Sequence, residues 1–389
     1  MKSSKVKKIN KISIIVLHLG YGGVENSICS LANILSNYYN VEIISTYKLL
    51  NSPAFYLNPQ IKIKYLIKNL SPNKTELKNA LKNKNILKFI KEIFISTKIL
   101  FLKKFKLIRE IKQINSDIII STRAFHNTLV GKYSKKGIIK IAQEHNYHNN
   151  NYNYINKLLK SLKNIDYLMP VSRNLTNFYI EKLKNKKIKV MYIPHALDIF
   201  PPKTSNLETQ NIISIGRLSK EKGFSDLIKV YKKLYEKNKN CKLKIIGDGI
   251  EKDYLNSIIL KENLSSNIEL CGFKNKKEIS DIMLNSSLYL MTSYTESFGL
   301  VLIEAQSYGI PIIAFDSAQG AQEIIKNGIN GFLIKDRNIN EMAHISNTLL
   351  NNLKLRKKLG EAGRNHSRKY KKENIEKMWI DFLDKIYQE

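Results

Sequence analysis

Cysteine is scarce in this chain. Cys29, Cys241 and Cys271 are the only three among 389 residues, and they lie too far apart for a CxxC pair or a Cys/His cluster. Such spacing fits a reducing compartment and argues against structural zinc. Acids are scarce as well: 33 Asp and Glu stand against 65 Lys and Arg, a net charge of +32. An excess of that size draws a protein towards nucleic acid, acidic lipid or phosphorylated substrates, although Lys, Ile and Asn are abundant throughout and supply part of it. No RNP-type sequence, basic zipper or aromatic stacking platform accompanies the charge, so nucleic acid is not the expected partner. There is no Asp-x-Asp and no His/Asp cluster, so nothing proposes a metal or other cofactor. After Met1-Lys2-Ser3-Ser4-Lys5 the first apolar run, 12–17, is only of strand length. A secretory leader needs a longer run and a small-residue cleavage site, so a cytoplasmic protein is expected.

What is present suits two globular cores. The composition is 43% hydrophobic and 25% charged, and the length allows two domains of ordinary size. Strands are predicted over 11–17, 41–46, 118–121, 138–143, 167–170 and 189–193, with helical patterns between them. The stretch 194–202, PHALDIFPP, followed by polar residues to 210, is the candidate linker. The rhythm then restarts, with strands over 211–215, 242–246, 267–270, 288–291, 311–315 and 331–334. Strands separated by helices predict parallel sheets covered on both faces, hence two successive doubly wound α/β halves. The boundaries are set at 1–197, 198–370 and a C-terminal helix over 371–389.

The region 77–114 departs from that rhythm. It is helical in pattern and Lys-rich, and contains IFISTKILFL at 93–102, too short an apolar run to span a bilayer. One reading is a basic amphipathic helix lying on an anionic leaflet, through Lys98, Lys103, Lys104 and Lys106. The other is a core-facing helix whose lysines are merely solvated.

Four turns carry the chemistry. In SYTESFGLVLIEAQSYGIPIIAF (293–315) a strand ends, a turn follows, and a helix starts at Leu300 and stops at Gly309. The amides from Ser297 to Leu300 would form a phosphate seat at the carboxyl edge of the sheet. Glu296 precedes that helix and Glu304 lies in its second turn, among Leu302, Ile303 and Ala305, where an unpaired charge is costly. Nothing in the turn brings the two carboxylates face to face as a glycosidase pair requires. GRLSKEKG (216–223) places Arg217 and Lys222 after a buried strand, where they could neutralise a diphosphate. In HLGYGGVE (18–25), Gly22 and Gly23 permit close ligand approach or simply form a tight turn. The run does not match GxGxxG, which counts against a dinucleotide oxidoreductase. His145, in QEHN (143–146), is either a satisfied structural histidine or a substrate contact.

Taken in order, GRLSKEKG, IIGDG, TESFGLVLIEAQSYGIPIIAFD and QEIIKNGINGFLI resemble the retaining glycosyltransferases of family four, which have the GT-B fold. The likeness is close over the second half. In the first half it rests on the GGVE turn, the histidine after a strand, and VSRN at 171–174. The resemblance implies two Rossmann-like domains facing across a cleft, with the C-terminal helix crossing back to the first. It implies that Arg217 and Lys222 hold the donor's diphosphate, with Ser297, Phe298, Gly299 and Leu300 helping through their backbone. Glu304 would bind the ribose, Glu296 and His145 the transferred sugar, and Gly22-Gly23 would leave room for the phosphates. It also implies metal-independent transfer from a nucleotide sugar, UDP-linked by family habit, to a glycan. The expected acceptor is a lipid-linked precursor of a bacterial surface polysaccharide or capsule, at the inner face of the membrane. The same fold also serves epimerases and phosphorylases, which remain alternatives, with a nucleic-acid-binding protein behind them. One departure stands out. Relatives often read Pro-Asn-Gly-x-Asp where this chain reads Pro194-His195-Ala196-Leu197-Asp198.

Overall fold

Isoleucine-rich runs, buried on both faces, build the two sheets of the computed structural model, which describes residues 9–70 and 73–388. The segment Met1-Lys2-Ser3-Ser4-Lys5, part of the leader argument, lies outside the described residues. The first sheet contains β1 (Lys11–Val16), β2 (Asn40–Tyr47), β3 (Lys62–Ile67), β4 (Ile118–Ser121), β5 (Ile139–Glu144), β6 (Tyr167–Pro170) and β7 (Lys189–Val190). Its order is β3-β2-β1-β4-β5-β6-β7, with every pairing parallel. Ile12, Ile14, Ile118, Ile119 and Ile120 are wholly buried, as a parallel sheet covered on both sides demands. The sequence reading has no strand at β3. There Lys62 and Lys64 alternate with apolar residues on an exposed edge, so the continuous apolar run that marks a buried strand is missing.

The second sheet contains β8 (Asn211–Ile215), β9 (Lys242–Ile246), β10 (Ile268–Gly272), β11 (Leu288–Met291), β12 (Ile312–Phe315) and β13 (Gly331–Ile334). Its order is β10-β9-β8-β11-β12-β13, again all parallel. Helices Phe224–Lys237 and Ile339–Leu350 cover it through Leu227, Tyr231, Leu234, Met342 and Leu349, all fully buried. The chain therefore comprises two Rossmann-like α/β units. The first gathers residues up to Val171, Leu175–Ala196 and those from Glu376 onward; the second holds Ser172–Asn174 and Leu197–Ile375. The C-terminal helix Lys372–Gln388 thus ends in the first unit. There Phe382 meets Tyr167 edge to face at 5.3 Å, and Tyr387 donates to Asp117 at 2.9 Å.

The single helical region expected over 77–114 is two helices, Lys74–Lys82 and Ile86–Gln113. Lys84 breaks them with φ near +51°, and Asn85 caps the second by accepting from the Lys88 amide at 2.9 Å. The inner face of the long helix is anchored by Ile99, Leu107 and Ile111, while Leu87, Phe94 and Phe101 on the outer face are exposed. The inner face is thus core-facing, as one of the two readings expects, and the outer face leaves apolar side chains exposed. Leu107→Ala should destabilise the protein by about 2–5 kcal/mol because it opens a cavity in a closed core. Phe94→Ala should leave urea unfolding within about 0.5 kcal/mol of wild type.

Candidate active site

In the second sheet the strand order reverses between β8 and β11, and open α/β sheets bind ligands at the carboxyl edge of such a switch point. Three loops meet there. The loop after β8 runs through a single 3₁₀ turn, Lys220–Lys222, into Gly223 at φ near +64°. A Cβ on Gly223 would lie 2.2 Å from the Thr292 carbonyl oxygen, so this loop touches the end of β11 only because the residue is glycine. The loop after β9 closes on the same segment: Leu218 donates to the Asp248 carbonyl and Glu251 to that of Leu218, both at 3.0 Å. The loop after β11 leads through Glu296 to Gly299, left-handed at φ +83°, and into helix Leu300–Ser307.

These loops join residues that lie far apart in sequence. Lys222 Nζ donates to Glu296 Oε2 at 2.5 Å, and both side chains are about four-fifths buried. Arg217 is mostly exposed and pairs with Glu221 at 3.3 Å. Glu304 makes no side-chain hydrogen bond or ion pair among the described residues. Burial, reinforced by the nearby Asp198 carboxylate, lifts its pKa to about 7 against the pull of Lys276. Asp198 and Lys276 are themselves an ion pair. Lys222 and Glu296 are therefore brought into direct contact. Arg217 stands on the same loop as Lys222, and Glu304 one helical turn beyond the amides of Gly299 and Leu300.

Sequence reasoning missed the brace behind these loops. Arg337 donates to Asp226 Oδ2 at 2.7 Å, to the carbonyls of Thr292 and Ser293 at 2.9 and 3.1 Å, and to Ser317 Oγ at 2.9 Å. Its guanidinium also stacks 3.7 Å from the Tyr294 ring centroid, and Tyr294 donates to the same Asp226 at 2.7 Å. Burial works against the Asp226 carboxylate, but the bonds from Arg337, Tyr294 and Lys229 outweigh it and hold its pKa below the ordinary value. Gly320 was missed too. Its amide donates to the Glu296 carbonyl at 2.8 Å, and a Cβ there would lie 2.4 Å from the Phe298 backbone. The left-handed backbone of Asp336 and Arg337 in FLIKDRN carries no sequence pattern that would have announced this role.

The first sheet reverses between β1 and β4, and its loops at the carboxyl edge hold the remaining predicted residues. Gly22 is extended, and a Cβ there would lie 2.2 Å from a carboxylate oxygen of Glu25; at Gly23 a Cβ would meet nothing within 4 Å. Glu25, absent from the predicted set, is buried beside His18 at 3.6 Å and Arg123 at 3.7 Å. His145 is buried, with Nε2 3.3 Å from Gln143 and Nδ1 without a partner. Its ring stacks on His195 at 5.4 Å and 5°. Burial, then the neighbouring His195 and Arg123, keep the His145 pKa well below 6.5, and burial takes His195 to about 4. Both imidazoles are neutral at physiological pH. The residue that departs from the familiar Pro-Asn-Gly pattern is therefore the one lying on the His145 ring.

Among the described residues no group of three or more His, Cys, Asp and Glu is placed to hold a metal ion. Arg337→Met leaves the Asp226 carboxylate only Lys229 and Tyr294 as partners and frees two carbonyls. It should lower stability in urea unfolding by about 3 kcal/mol, with Lys222→Met costing markedly less because that side chain makes one ion pair, to Glu296, and bonds no carbonyl.

Comparison with known proteins converges on one fold. Residues 197–366 match the family model described as glycosyl transferases group 1. An uncharacterized glycosyltransferase of Haemophilus influenzae is 27% identical, with 96% of this chain and all of the relative aligned. The N-acetylgalactosamine-N,N'-diacetylbacillosaminyl-diphospho-undecaprenol 4-alpha-N-acetylgalactosaminyltransferase of Campylobacter jejuni is likewise 27% identical, over 96% of this chain and 100% of that one. Among solved structures, the pneumococcal O-GlcNAc transferase GtfA, in complex with UDP and GlcNAc, superposes with a TM-score of 0.76. It is 16% identical and covers 98% of this chain and 100% of its own. Residues 197–366 are thus similar to the glycosyl transferases group 1 family, and the chain has the fold of the GT-B glycosyltransferases.

Proposed function

We propose that the protein transfers a sugar, with retention and without a metal, from a UDP-sugar to a growing lipid-linked glycan. The observation that carries this reading is the Lys222–Glu296 pair, held beside the start of helix Leu300–Ser307 at a sheet switch point. In such a transfer the bond from the anomeric carbon to the diphosphate breaks, and a bond to the acceptor oxygen forms on the same face. The acceptor's proton leaves with the nucleoside diphosphate. Negative charge therefore grows on the leaving phosphate. Lys222, Arg217 and the amides at the helix start supply positive charge there, and fixed donors of this kind are a large catalytic term. Glu296, already engaged by Lys222, is a weakened nucleophile; we assign it to positioning the transferred sugar. Glu304 offers an unpartnered carboxyl to the ribose hydroxyls. The Campylobacter relative acts, by its name, on a diphospho-undecaprenol acceptor, which supports a lipid-linked acceptor here.

A panel of nucleotide sugars, screened for binding and for slow hydrolysis with and without a chelator, tests the reading. One UDP-sugar should stand out, and chelation should leave its hydrolysis unchanged. Lys222→Ala and Glu296→Ala should each lower kcat about 10²–10³-fold. Near-wild-type turnover in either, epimerised sugar formed without an acceptor, or consumption of phosphate would overturn it. A second test uses pH. The Glu304 carboxyl ionises near 7, and hydroxyl donors favour the ionised form. Affinity for the selected UDP-sugar should therefore fall about tenfold from pH 8 to pH 6, read by calorimetry. The donor's diphosphate does not titrate there, and both buried histidines stay neutral. Glu304→Gln should flatten the profile.

A further inference from the structure

The helix Ile86–Gln113 is apolar on the face that points away from its own unit. Leu87, Ile90, Phe94, Phe101 and Phe105 are 55–83% exposed. Their spacing of three, four, seven and four residues puts them on one stripe, about 27 Å long at 1.5 Å per residue. The Phe101 and Phe105 rings stack on each other at 6.2 Å and are both more than half exposed. A surface helix of a globular protein normally turns its polar side outward, and a contiguous exposed apolar stripe marks an interaction site.

Charge identifies the partner. Lys91, Lys98, Lys104 and Arg109 are exposed along the borders of the stripe. The helix has two acids, and neither faces outward: Glu92 is buried and bonded to Asn73, and Glu110 is held by Lys64 at 2.7 Å. Two of the lysines named from the sequence have partners within the protein. Lys103 lies 4.2 Å over the Phe125 ring, with its pKa lowered by burial and by Lys157, and Lys106 donates to the Leu66 carbonyl. No helix of the described residues is long and apolar enough to cross a membrane. An apolar stripe whose charged neighbours on the helix's outer side are cations fits the boundary between acyl chains and anionic headgroups.

We propose that the outer face of helix Ile86–Gln113 docks the protein, in the plane of the bilayer, on an anionic lipid surface. The inference does not depend on the reaction assigned above, because docking is measured without any nucleotide sugar.

The test is co-sedimentation of the full chain with vesicles of phosphatidylcholine mixed with phosphatidylglycerol, against phosphatidylcholine alone. Binding should need the anionic lipid and weaken as salt is raised. Phe94→Ser/Phe101→Ser should lower the partition coefficient at least about tenfold, and Lys91→Gln/Lys98→Gln/Lys104→Gln should do likewise. Both variants change side chains that are already exposed, so urea unfolding should match wild type and confirm that folding is intact. Retention of wild-type protein in the supernatant would overturn the proposal, as would full vesicle binding by both variants. So would a concentration-dependent dimer, seen by analytical ultracentrifugation, that Phe94→Ser/Phe101→Ser dissolves, since the stripe would then belong to a second copy.

Discussion

One guanidinium holds the second unit's loops in register. Arg337 reaches Asp226, two carbonyls at the end of β11, and Ser317 after β12, while Asp226 also takes the Tyr294 hydroxyl. Asp226 opens the helix that follows the Lys222 loop, so a single ion pair fixes that loop against the β11 turn that carries Glu296. Thr292 adds a hydroxyl bond to the Gly223 carbonyl at 2.9 Å. Lys222 and Glu296 can then meet at 2.5 Å without either loop having to find the other. Bidentate, planar donors suit this task, because an ammonium's three donors share one nitrogen and could not reach all four of these acceptors.

Behind this brace two glutamates in one short segment have opposite settings. Glu296 sits against a cation, so its charge is compensated. Glu304 is surrounded by low-dielectric helix and by another carboxylate, so its charge is resisted and its proton is retained up to about pH 7. That difference follows from position alone. One residue precedes the helix, where a second loop can reach it; the other lies on the helix, where burial and Asp198 outweigh Lys276. A carboxyl kept without a hydrogen-bond partner is costly unless a ligand supplies donors, and the ribose role assigned to Glu304 supplies two.

Much of this was legible in the sequence, and the remainder has a physical reason for being hidden. Buried parallel strands announce themselves as apolar runs, and glycine-bearing turns after them mark the ligand edge, so β8, β11 and the GRLSKEKG and TESFG loops were readable. The edge strand β3 was not, because half of it faces water and its lysines break the run. Arg337 and Asp226 were not, because 111 residues separate them and neither lies in a motif whose spacing implies the other. Glu25 stood in plain view in GGVE, but only the fold shows its carboxylate turned back over Gly22 beside His18 and Arg123. The break at Lys84 needed the left-handed backbone that no residue type there demands.

The charge excess shows the same division between composition and placement. Counted along the chain, the lysines of 77–114 form one basic block, and a block of like charge reads first as solvated surface. Folding sorts them by destination. Lys106 is spent on the unit's own Leu66 carbonyl, and Lys103 lies over an aromatic ring. The cations left outside flank the most apolar stripe of the helix, and the helix's own two acids are turned inward. Net charge alone could not separate an RNA-binding surface from a lipid-facing one, since both attract anions. The separation comes from what lies between the cations. A nucleic-acid groove interleaves them with polar donors and aromatic faces open for stacking, whereas here the intervening residues are leucine, isoleucine and phenylalanine in a single line, a surface that water disfavours and a bilayer accepts.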